Sequence, residues 1–439
     1  MTPNLLVLRL DGSANVDTIA AMEAAEVSRL IYQRLVDLSP GPPPALRLWT
    51  GERFGPEDAA ATLVLNHPGA WRALLVPPDN LTAAEAYLYD DVDVEGDMVA
   101  LMEFLGSLES TSRRWISLTR LMGLARRLPA ELRRNHPLRP TMGEAGIHSL
   151  GRDERAVTFH YDTGNEFFEL FLDPLMVYSC GDFLDPGESL AVAQERKLDL
   201  ICRKLELREG QNFLDVGCGW GGLVVHAASR YGVHATGVTL SEPQASVAEL
   251  RAKEAGVGDL VTIVHGDYRT LEGTYDAIAS VGMFEHVGRA RLPEYFGVLL
   301  RRLARGGQLL NHGIVTRRRG LSLRRPTFIS TYVFPDSQLV PVEYVTGASE
   351  RAGFELRDAE SLRASYALTL RHWVANLEAK SRTAVELVGE RTYRIWRLYM
   401  AGSVQAFERG HISIFQLLLS DPSRPWTFGR RRLLAADDV

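Results

Sequence analysis

The sequence has 439 residues, of which 24% are charged, and a formal net charge of −6 at pH 7. This length suits two or three domains, and the negative charge argues against a protein that binds nucleic acid mainly through its surface charge. Its three cysteines match no disulfide framework or zinc-ligand spacing, no signal peptide is recognisable, and no run of about 18 apolar residues occurs, so we expect a cytoplasmic protein.

Residues 1–110 predict a small α+β accessory domain. Apolar runs bounded by turn residues indicate strands, and apolar residues at helical spacing indicate helices. The strands fall at 5–10, 41–49 and 61–67, and the helices at 17–37 and 97–108. No catalytic motif is visible here, and a structural domain is favoured over a lipid-handling or dimerising module.

Residues 111–154 form a basic segment followed by a linker. Within 113–134, seven arginines and one acid are interleaved with apolar residues at helical spacing. Such a basic amphipathic helix can lie on an anionic membrane surface. The alternative is an interdomain helix whose apolar face packs on a core and whose arginines are solvated.

Residues 155–439 predict the catalytic domain, in which strands and helices alternate. The helices fall at 160–172, 188–207, 241–256 and 291–304, and the strands at 213–216, 235–240, 260–267, 275–282 and 308–315. This alternation predicts an α/β fold with a parallel, doubly wound sheet that binds its ligand beyond the carboxyl ends of the strands. The chain from residue 345 onwards has helical patterns rich in tryptophan and tyrosine.

A glycine loop follows the first strand of this sheet. Gly217, Gly219 and Gly221 allow the backbone to turn sharply and to approach a ligand closely. By itself such a loop could serve a dinucleotide, S-adenosylmethionine or only a tight turn. The acid Asp215 in front of the loop favours S-adenosylmethionine, because its amino group and sulfonium are positive, whereas a pyrophosphate would be repelled by a carboxylate.

Polar residues also follow the second and third strands. Thr239, Ser241 and Gln244 stand where a dinucleotide-binding protein would have an acid for the ribose. Asp267 and Tyr268 follow the third strand, where a polar pair can contact adenine. The alternative for Asp267 is that it only caps a turn.

Seven spaced motifs carry a family resemblance. They are HYDTGNEFFELFLDPLMVYSC (160–180), LDVGCGWGG (214–222), GVTLSEPQ (237–244), SVGMFEHVG (280–288), NHGI (311–314), YVFPDS (332–337) and YALTLRHW (366–373). Over about 155–415 the chain resembles the cyclopropane-fatty-acyl-phospholipid synthases, with the related mycolic acid methyltransferases. The resemblance implies a Rossmann-like methyltransferase fold and methyl transfer from S-adenosylmethionine to the cis double bond of unsaturated phospholipid acyl chains, with a cyclopropane fatty acid as the product.

The resemblance also implies two sets of site residues. The cofactor set is Tyr178, Ser179, Asp215, Gly217, Gly219, Gly221, Thr239, Ser241, Gln244, Asp267 and Tyr268. The second set holds a bicarbonate ion and is Cys180, Glu285, His312, Tyr366 and the backbone near Ile314. A small buried anion suits this chemistry, because it can accept a proton and stabilise a carbocation where a basic side chain would risk alkylation.

Three members of the second set also have a structural alternative. Cys180 could be a small buried hydrophobe, His312 a satisfied histidine at a strand end, and Glu285 a helix-start carboxylate. Asn311 and Gly313 depart from the LLHTIG-like sequence of several family members, which we interpret as a subtype.

A membrane-embedded substrate implies peripheral contact with the inner membrane surface. The arginine cluster 317–325 is a second candidate for lipid headgroups, and a homodimer is a candidate assembly. The nearest rival shares the methyl transfer but yields a methyl-branched or methylene fatty acid. More distant rivals are a soluble O- or N-methyltransferase of a small metabolite and a lipid- or partner-binding protein with a degenerate methyltransferase fold.

Overall fold

The chain forms two compact units, Met1–Arg139 and Pro140–Val439. The structure is a computed structural model that describes residues 16–77, 79–108, 114–130, 163–317, 326–334 and 338–425. The predicted strand at 5–10, the linker and all of the arginine cluster except Arg317 lie outside the described residues.

The first unit contains a four-stranded sheet with helices, which agrees with the predicted α+β domain. Its strands are β1 (Ala45–Arg47), β2 (Arg53–Phe54), β3 (Ala61–Leu65) and β4 (Val92–Gly96), in the order β2-β1-β3-β4. Its helices are Val16–Leu38, Ala70–Leu75, Asn80–Leu88, Met98–Ser107 and Arg114–Ala125. β1 and β3 are parallel, and the other two pairs are antiparallel.

The basic helix Arg114–Ala125 belongs to this first unit. Leu121 and Ala125 are buried, and the helix packs against the first helix of the unit. Arg127, just after it, forms an exposed ion pair with Glu23 at 3.3 Å. The described apolar side chains of this helix therefore pack within the first unit, as the second of the two interpretations above expects of its apolar face.

The second unit is built on a seven-stranded mixed sheet in the order β10-β11-β9-β8-β5-β6-β7. The strands are β5 (Asn212–Val216), β6 (His234–Thr239), β7 (Val261–His265), β8 (Tyr275–Val281), β9 (Leu303–Thr316), β10 (Glu355–Ser361) and β11 (Ile412–Ser420). Strands β5 to β9 are parallel, as predicted. β11 is antiparallel to both β9 and β10, so the sheet is mixed and not parallel throughout. The helices expected in the C-terminal part are present, and β10 and β11 are two further strands that the sequence did not predict.

Helices cover both faces of this sheet. They are Asn165–Glu169, Leu190–Lys204, Gly222–Tyr231, Glu242–Glu254, Leu292–Arg302, Val342–Ala352, Arg363–Ala379, Ser381–Val388 and Glu390–Glu408. Leu292–Arg302 and Val342–Ala352 contribute to one core layer, and Leu190–Lys204 and Gly222–Tyr231 to the other. Because β5 to β9 are parallel, their carboxyl ends meet at one edge, where the loops that follow them can form a site.

Candidate active site

A cavity opens at the carboxyl ends of β5, β6, β7 and β8. All but two residues of the predicted cofactor set line it, namely Tyr178, Ser179, Asp215, Gly217, Gly219, Thr239, Gln244, Asp267 and Tyr268. The two exceptions are Gly221 and Ser241, which shape the neighbouring backbone.

Gly221 and Ser241 both act at helix starts. Gly221 has φ +83°, and a Cβ there would lie 2.8 Å from the Cβ of Ala248, so the position combines a left-handed backbone with close helix packing. Ser241 precedes helix Glu242–Glu254, and its hydroxyl accepts a hydrogen bond from the Gln244 backbone N–H at 3.5 Å. These two residues position their neighbours.

Asp215 and Lys197 are two buried residues of opposite charge type that line the cavity. Burial raises the pKa of Asp215 to about 7 and lowers that of Lys197 to about 8, and each charge partly opposes the shift of the other. The Lys197 ammonium donates a hydrogen bond to Ser179 Oγ at 2.8 Å, while Asp215 Oδ1 has no partner among the described residues. That oxygen is free to accept a hydrogen bond from a ligand's amino group.

Lys197 was not predicted from the sequence. It lines the cavity although it lies on the largely apolar buried face of helix Leu190–Lys204. Lysine is almost never fully buried unless it has a partner. A lysine at a position where the helical spacing predicts an apolar residue was therefore the sequence signal that could have identified Lys197.

Another part of the cavity carries neutral polar side chains and one acid, Asp267, whose oxygens already accept hydrogen bonds from a neighbouring residue. Thr239 Oγ1 donates a hydrogen bond to Gln244 Oε1 at 2.9 Å. These two residues stand where a dinucleotide-binding protein would have an acid for the ribose. Asp267 accepts side-chain hydrogen bonds from Arg269 at 2.6 and 2.8 Å, and one from the Arg269 backbone N–H at 2.8 Å. Asp267 thus has the turn-capping role considered above, and an adenine contact stays a prediction.

Glu285 and His312 each have one buried polar atom without a partner among the described residues. Glu285 Oε1 accepts a hydrogen bond from the Ile314 backbone N–H at 2.7 Å, but Oε2 has no partner. His312 Nδ1 lies 3.2 Å from Gln416 Nε2, and its own Nε2 has no partner. Burial raises the pKa of Glu285 to about 7 and lowers that of His312 well below its usual value.

Cys180 and Tyr366 meet at the start of helix Arg363–Ala379. The Cys180 thiol is fully buried and donates to the Gly181 carbonyl at 3.1 Å and more weakly to the Leu362 carbonyl at 3.7 Å. Leu362 also accepts the Tyr366 backbone N–H at 3.0 Å. Burial raises the pKa of the Cys180 thiol, which favours the protonated form over the nucleophilic thiolate.

An aromatic wall connects the cavity with this second group of residues. Tyr178 lines the cavity and stacks on Trp373 with ring centroids 5.1 Å apart. The Tyr399 hydroxyl interacts with Tyr178 and with the charge of Glu285, and burial raises its pKa to about 12. Tyr366 meets Trp373 edge-on at 6.0 Å. Cys180, Glu285, His312 and Tyr366 do not line the cavity, and the wall contacts this group through Tyr366 and Glu285.

Gly313 and Asn311 have distinct structural roles on either side of His312. A Cβ at position 313 would overlap the ring of Phe284 and lie 2.9 Å from Glu285 Oε2, so glycine leaves room for the carboxyl group. Asn311 points to the opposite face of β9 from His312, and its Oδ1 accepts a hydrogen bond from the Tyr295 hydroxyl at 2.8 Å. The departure from the LLHTIG-like sequence thus changes the residues that pack next to His312 and Glu285, while His312 itself is retained.

Comparisons with known proteins agree with this geometry. The model of the mycolic acid cyclopropane synthetase family matches residues 148–417. The chain is 37% identical over 396 residues to a probable fatty acid methyltransferase of Pseudomonas putida, covering 88% of this chain and 95% of the relative. It is 36% identical over 303 residues to the cyclopropane-fatty-acyl-phospholipid synthase of Escherichia coli, covering 68% of this chain and 76% of the relative.

Solved structures show the same fold. The crystal structure of mycolic acid cyclopropane synthase CmaA1 complexed with SAH and CTAB superposes with a TM-score of 0.58 at 32% identity. The superposition covers 61% of this chain and 98% of that chain.

Proposed function

Since this chain belongs to the mycolic acid cyclopropane synthetase family of S-adenosylmethionine-dependent methyltransferases, we propose that it methylates the cis double bond of an unsaturated phospholipid acyl chain and closes it to a cyclopropane ring. The cavity at the edge of the sheet would hold the methyl donor. The acyl chain would bring its double bond to the aromatic wall formed by Tyr178, Trp373 and Tyr399.

One observation carries the proposal: two buried polar atoms, Glu285 Oε2 and His312 Nε2, have no partner among the described residues. An unpaired buried polar group is costly, and native proteins retain it where a ligand or chemistry uses it. A methyltransferase acting on an oxygen or nitrogen of a small metabolite would not need this buried pair, because its acceptor is already a nucleophile.

The residues present suit a small anion such as bicarbonate. Ile314 N–H holds Glu285 Oε1, so a protonated Glu285 carries its proton on Oε2 and can donate it to a ligand. The pKa of about 7 makes that form abundant at neutral pH. His312, Tyr366 and Cys180 would complete the set of residues around the anion, which when bound supplies a base that is not itself alkylated.

The chain's own residues would prepare the methyl transfer in three ways. S-adenosylmethionine supplies an electrophilic methyl group. Asp215 would bind the amino group of this donor, and the Thr239 and Gln244 pair its ribose. The aromatic wall excludes water and presents ring faces toward which positive charge can develop. An alkene is a weak nucleophile, so holding it about 3–3.5 Å from the methyl group contributes much of the rate.

Product analysis tests this proposal. The purified protein would be incubated with isotopically labelled S-adenosylmethionine and vesicles of an unsaturated phospholipid, and the lipids examined by mass spectrometry and proton NMR. We expect labelled lipid with the high-field signals of cyclopropane protons. Labelled lipid with vinylidene or methyl-branch signals would show that the product is a methylene or methyl-branched fatty acid and not a cyclopropane fatty acid. Labelling of a water-soluble acceptor and not of lipid would refute both.

Peripheral contact with the membrane belongs to the same proposal. In the described part of the chain no helix is both long and apolar enough to cross a bilayer. The substrate would be reached from the membrane surface, and the arginines of 317–325, with the exposed Arg120 of the basic helix, could bind anionic headgroups. Cosedimentation with vesicles containing anionic phospholipid, compared with purely zwitterionic vesicles, measures this contact.

A further inference from the structure

Three buried side chains form a hydrogen-bonded chain behind β9. The Lys204 ammonium donates a hydrogen bond to Gln416 Oε1 at 2.8 Å, and Gln416 Nε2 lies 3.2 Å from His312 Nδ1. Gln416 on β11 stands directly opposite His312 on β9 in the antiparallel ladder. All three side chains are at most 2% exposed. Neither Gln416 nor Lys204 belongs to the residues that the family resemblance brought into the site.

The chemistry of lysine decides how the Gln416 amide is oriented. An ammonium group has only donors, so the amide atom that faces Lys204 must be the carbonyl oxygen. The amide NH₂ then faces His312, and because it can only donate, Nδ1 of the ring must accept. A ring whose Nδ1 accepts carries its proton on Nε2 when it is neutral, so this hydrogen bond settles the tautomer of His312.

We propose that Gln416 and Lys204 are positioning residues that hold His312 as the neutral tautomer with its proton on Nε2. The Nε2–H group is the buried polar atom that has no partner among the described residues. It is therefore a donor held ready for an acceptor. Its orientation is fixed by a partner on the other ring nitrogen, as in many histidines that bind metals or take part in catalysis.

Charges around this chain support the neutral form. Burial lowers the pKa of His312, and the positive charges of Lys197 and Lys204 lower it further. Lys204 is itself held by carboxylates of β10, through an ion pair with Glu360 and a longer contact of 3.9 Å to Asp358. The last two strands of the sheet thus supply both the amide and the anchor of the cation that orients it.

The identity of the acceptor rests on the proposed function. If the active site holds bicarbonate, His312 Nε2–H donates to that anion, and the tautomer with Nδ1–H would present a lone pair to it instead. The tautomer itself does not depend on lipid, cofactor or bicarbonate. Its measurement can therefore fail or succeed independently of the proposed reaction.

Nitrogen NMR of the full-length protein tests the tautomer directly. Protein labelled with ¹⁵N-histidine would be recorded at neutral pH in bicarbonate-free buffer, and the His312 signals assigned by their loss in His312→Asn. We expect the shifts and couplings of a protonated Nε2 and an unprotonated Nδ1. Signals of a proton on Nδ1 would overturn the proposal.

Replacing Gln416 by glutamate nearly keeps the shape of the side chain and reverses the direction of its hydrogen bond with His312 Nδ1. In Gln416→Glu the carboxylate can only accept, so Nδ1 must donate to it, and we expect the Nδ1 signal to become that of a protonated nitrogen. Gln308→Glu is the matched control, because Gln308 is equally buried and lies on the same face of β9; there the His312 signals should not change. An unprotonated Nδ1 in Gln416→Glu would overturn the proposal.

A second variant covers the case in which Gln416→Glu does not fold. Lys204→Met removes the cation that orients the amide, so the amide can rotate and a second His312 signal with a proton on Nδ1 should appear. A single unchanged signal would overturn the role of Lys204.

Turnover completes the test. In Gln416→Glu we expect kcat to fall at least about 10-fold, within the range of a lost positioned proton donor, with the Kd for S-adenosylmethionine unchanged. A wild-type kcat would overturn the positioning role. Full wild-type activity after bicarbonate depletion would instead refute the proposed anion and leave the tautomer assignment standing.

Discussion

Replacing Glu285 by glutamine tests how much the burial of this ionisable carboxyl group lowers the stability of the protein, independently of its role in turnover. Burial raises its pKa from 4.5 to about 7. Because one pKa unit corresponds to about 1.4 kcal/mol, ionised Glu285 is about 3 kcal/mol less favourable in the folded protein than in the unfolded chain. Since the raised pKa makes the folded state bind more protons, stability falls as pH rises from about 4.5 to about 7 and stays lower above that.

Chemical denaturation measures this effect without any turnover. Glutamine has the same shape, keeps an acceptor for the Ile314 N–H and does not titrate. Between about pH 5.5 and about pH 8, in bicarbonate-free buffer, the wild-type protein should lose about 2 kcal/mol of unfolding free energy relative to Glu285→Gln. Glu249→Gln, in an exposed position of helix Glu242–Glu254, is the control and should run parallel to the wild type. A Glu285→Gln curve that also runs parallel to the wild type would refute the reasoning from burial.

The same variant should lose activity in spite of its greater stability at alkaline pH. We expect kcat for lipid methylation to fall about 10²-fold or more, the usual contribution of a positioned acid or base, and the Kd for S-adenosylmethionine by calorimetry to stay within about threefold. Wild-type turnover would show that Glu285 does not act at the reacting centre.

Three further outcomes follow from the cofactor loop and the basic surface. Gly221→Ala should destabilise the protein by more than about 1 kcal/mol, and by more than the control Gly256→Ala. Both glycines have positive φ, but only a side chain at position 221 would collide with Ala248. Equal losses of unfolding free energy in the two variants would contradict the packing argument. Asp215→Asn should weaken S-adenosylmethionine binding at least about 10-fold by calorimetry if its carboxylate binds the amino group, and unchanged affinity would remove it from the cofactor set. Replacing the three arginines 317–319 by glutamine should weaken cosedimentation with anionic vesicles in a salt-dependent way, and unchanged binding would exclude this cluster as a lipid contact.

The parallel half of the large sheet was predictable because its signals are local. Each of β5 to β8 is a short apolar run that ends in turn residues, and helical spacing follows β5, β6 and β8 along the chain. The glycine loop and the polar residues after β6 and β7 therefore fell at the same edge of the sheet in the prediction and in the structure.

The antiparallel half could not be predicted in the same way. β10 has the polar sequence ELRDAES and β11 the apolar sequence ISIFQLLLS, and neither shows the alternation typical of a half-buried strand. Their pairing with β9 joins segments far apart along the chain. Lys204 and Gln416 were missed for the same reason, because each becomes meaningful only when β11 brings the glutamine opposite His312.

The position of β11 also has a consequence for biosynthesis. β11 is made after every other strand of the described sheet, yet it lies between β9 and β10, and β10 pairs with no other strand there. Until it leaves the ribosome, the nascent chain presents an unpaired edge of β9, and such edges readily join other chains. The residue that orients His312 arrives with the strand that covers this edge. A nascent chain that stalls before β11 would therefore be both inactive and prone to aggregation, and release of this segment would remedy both defects at once.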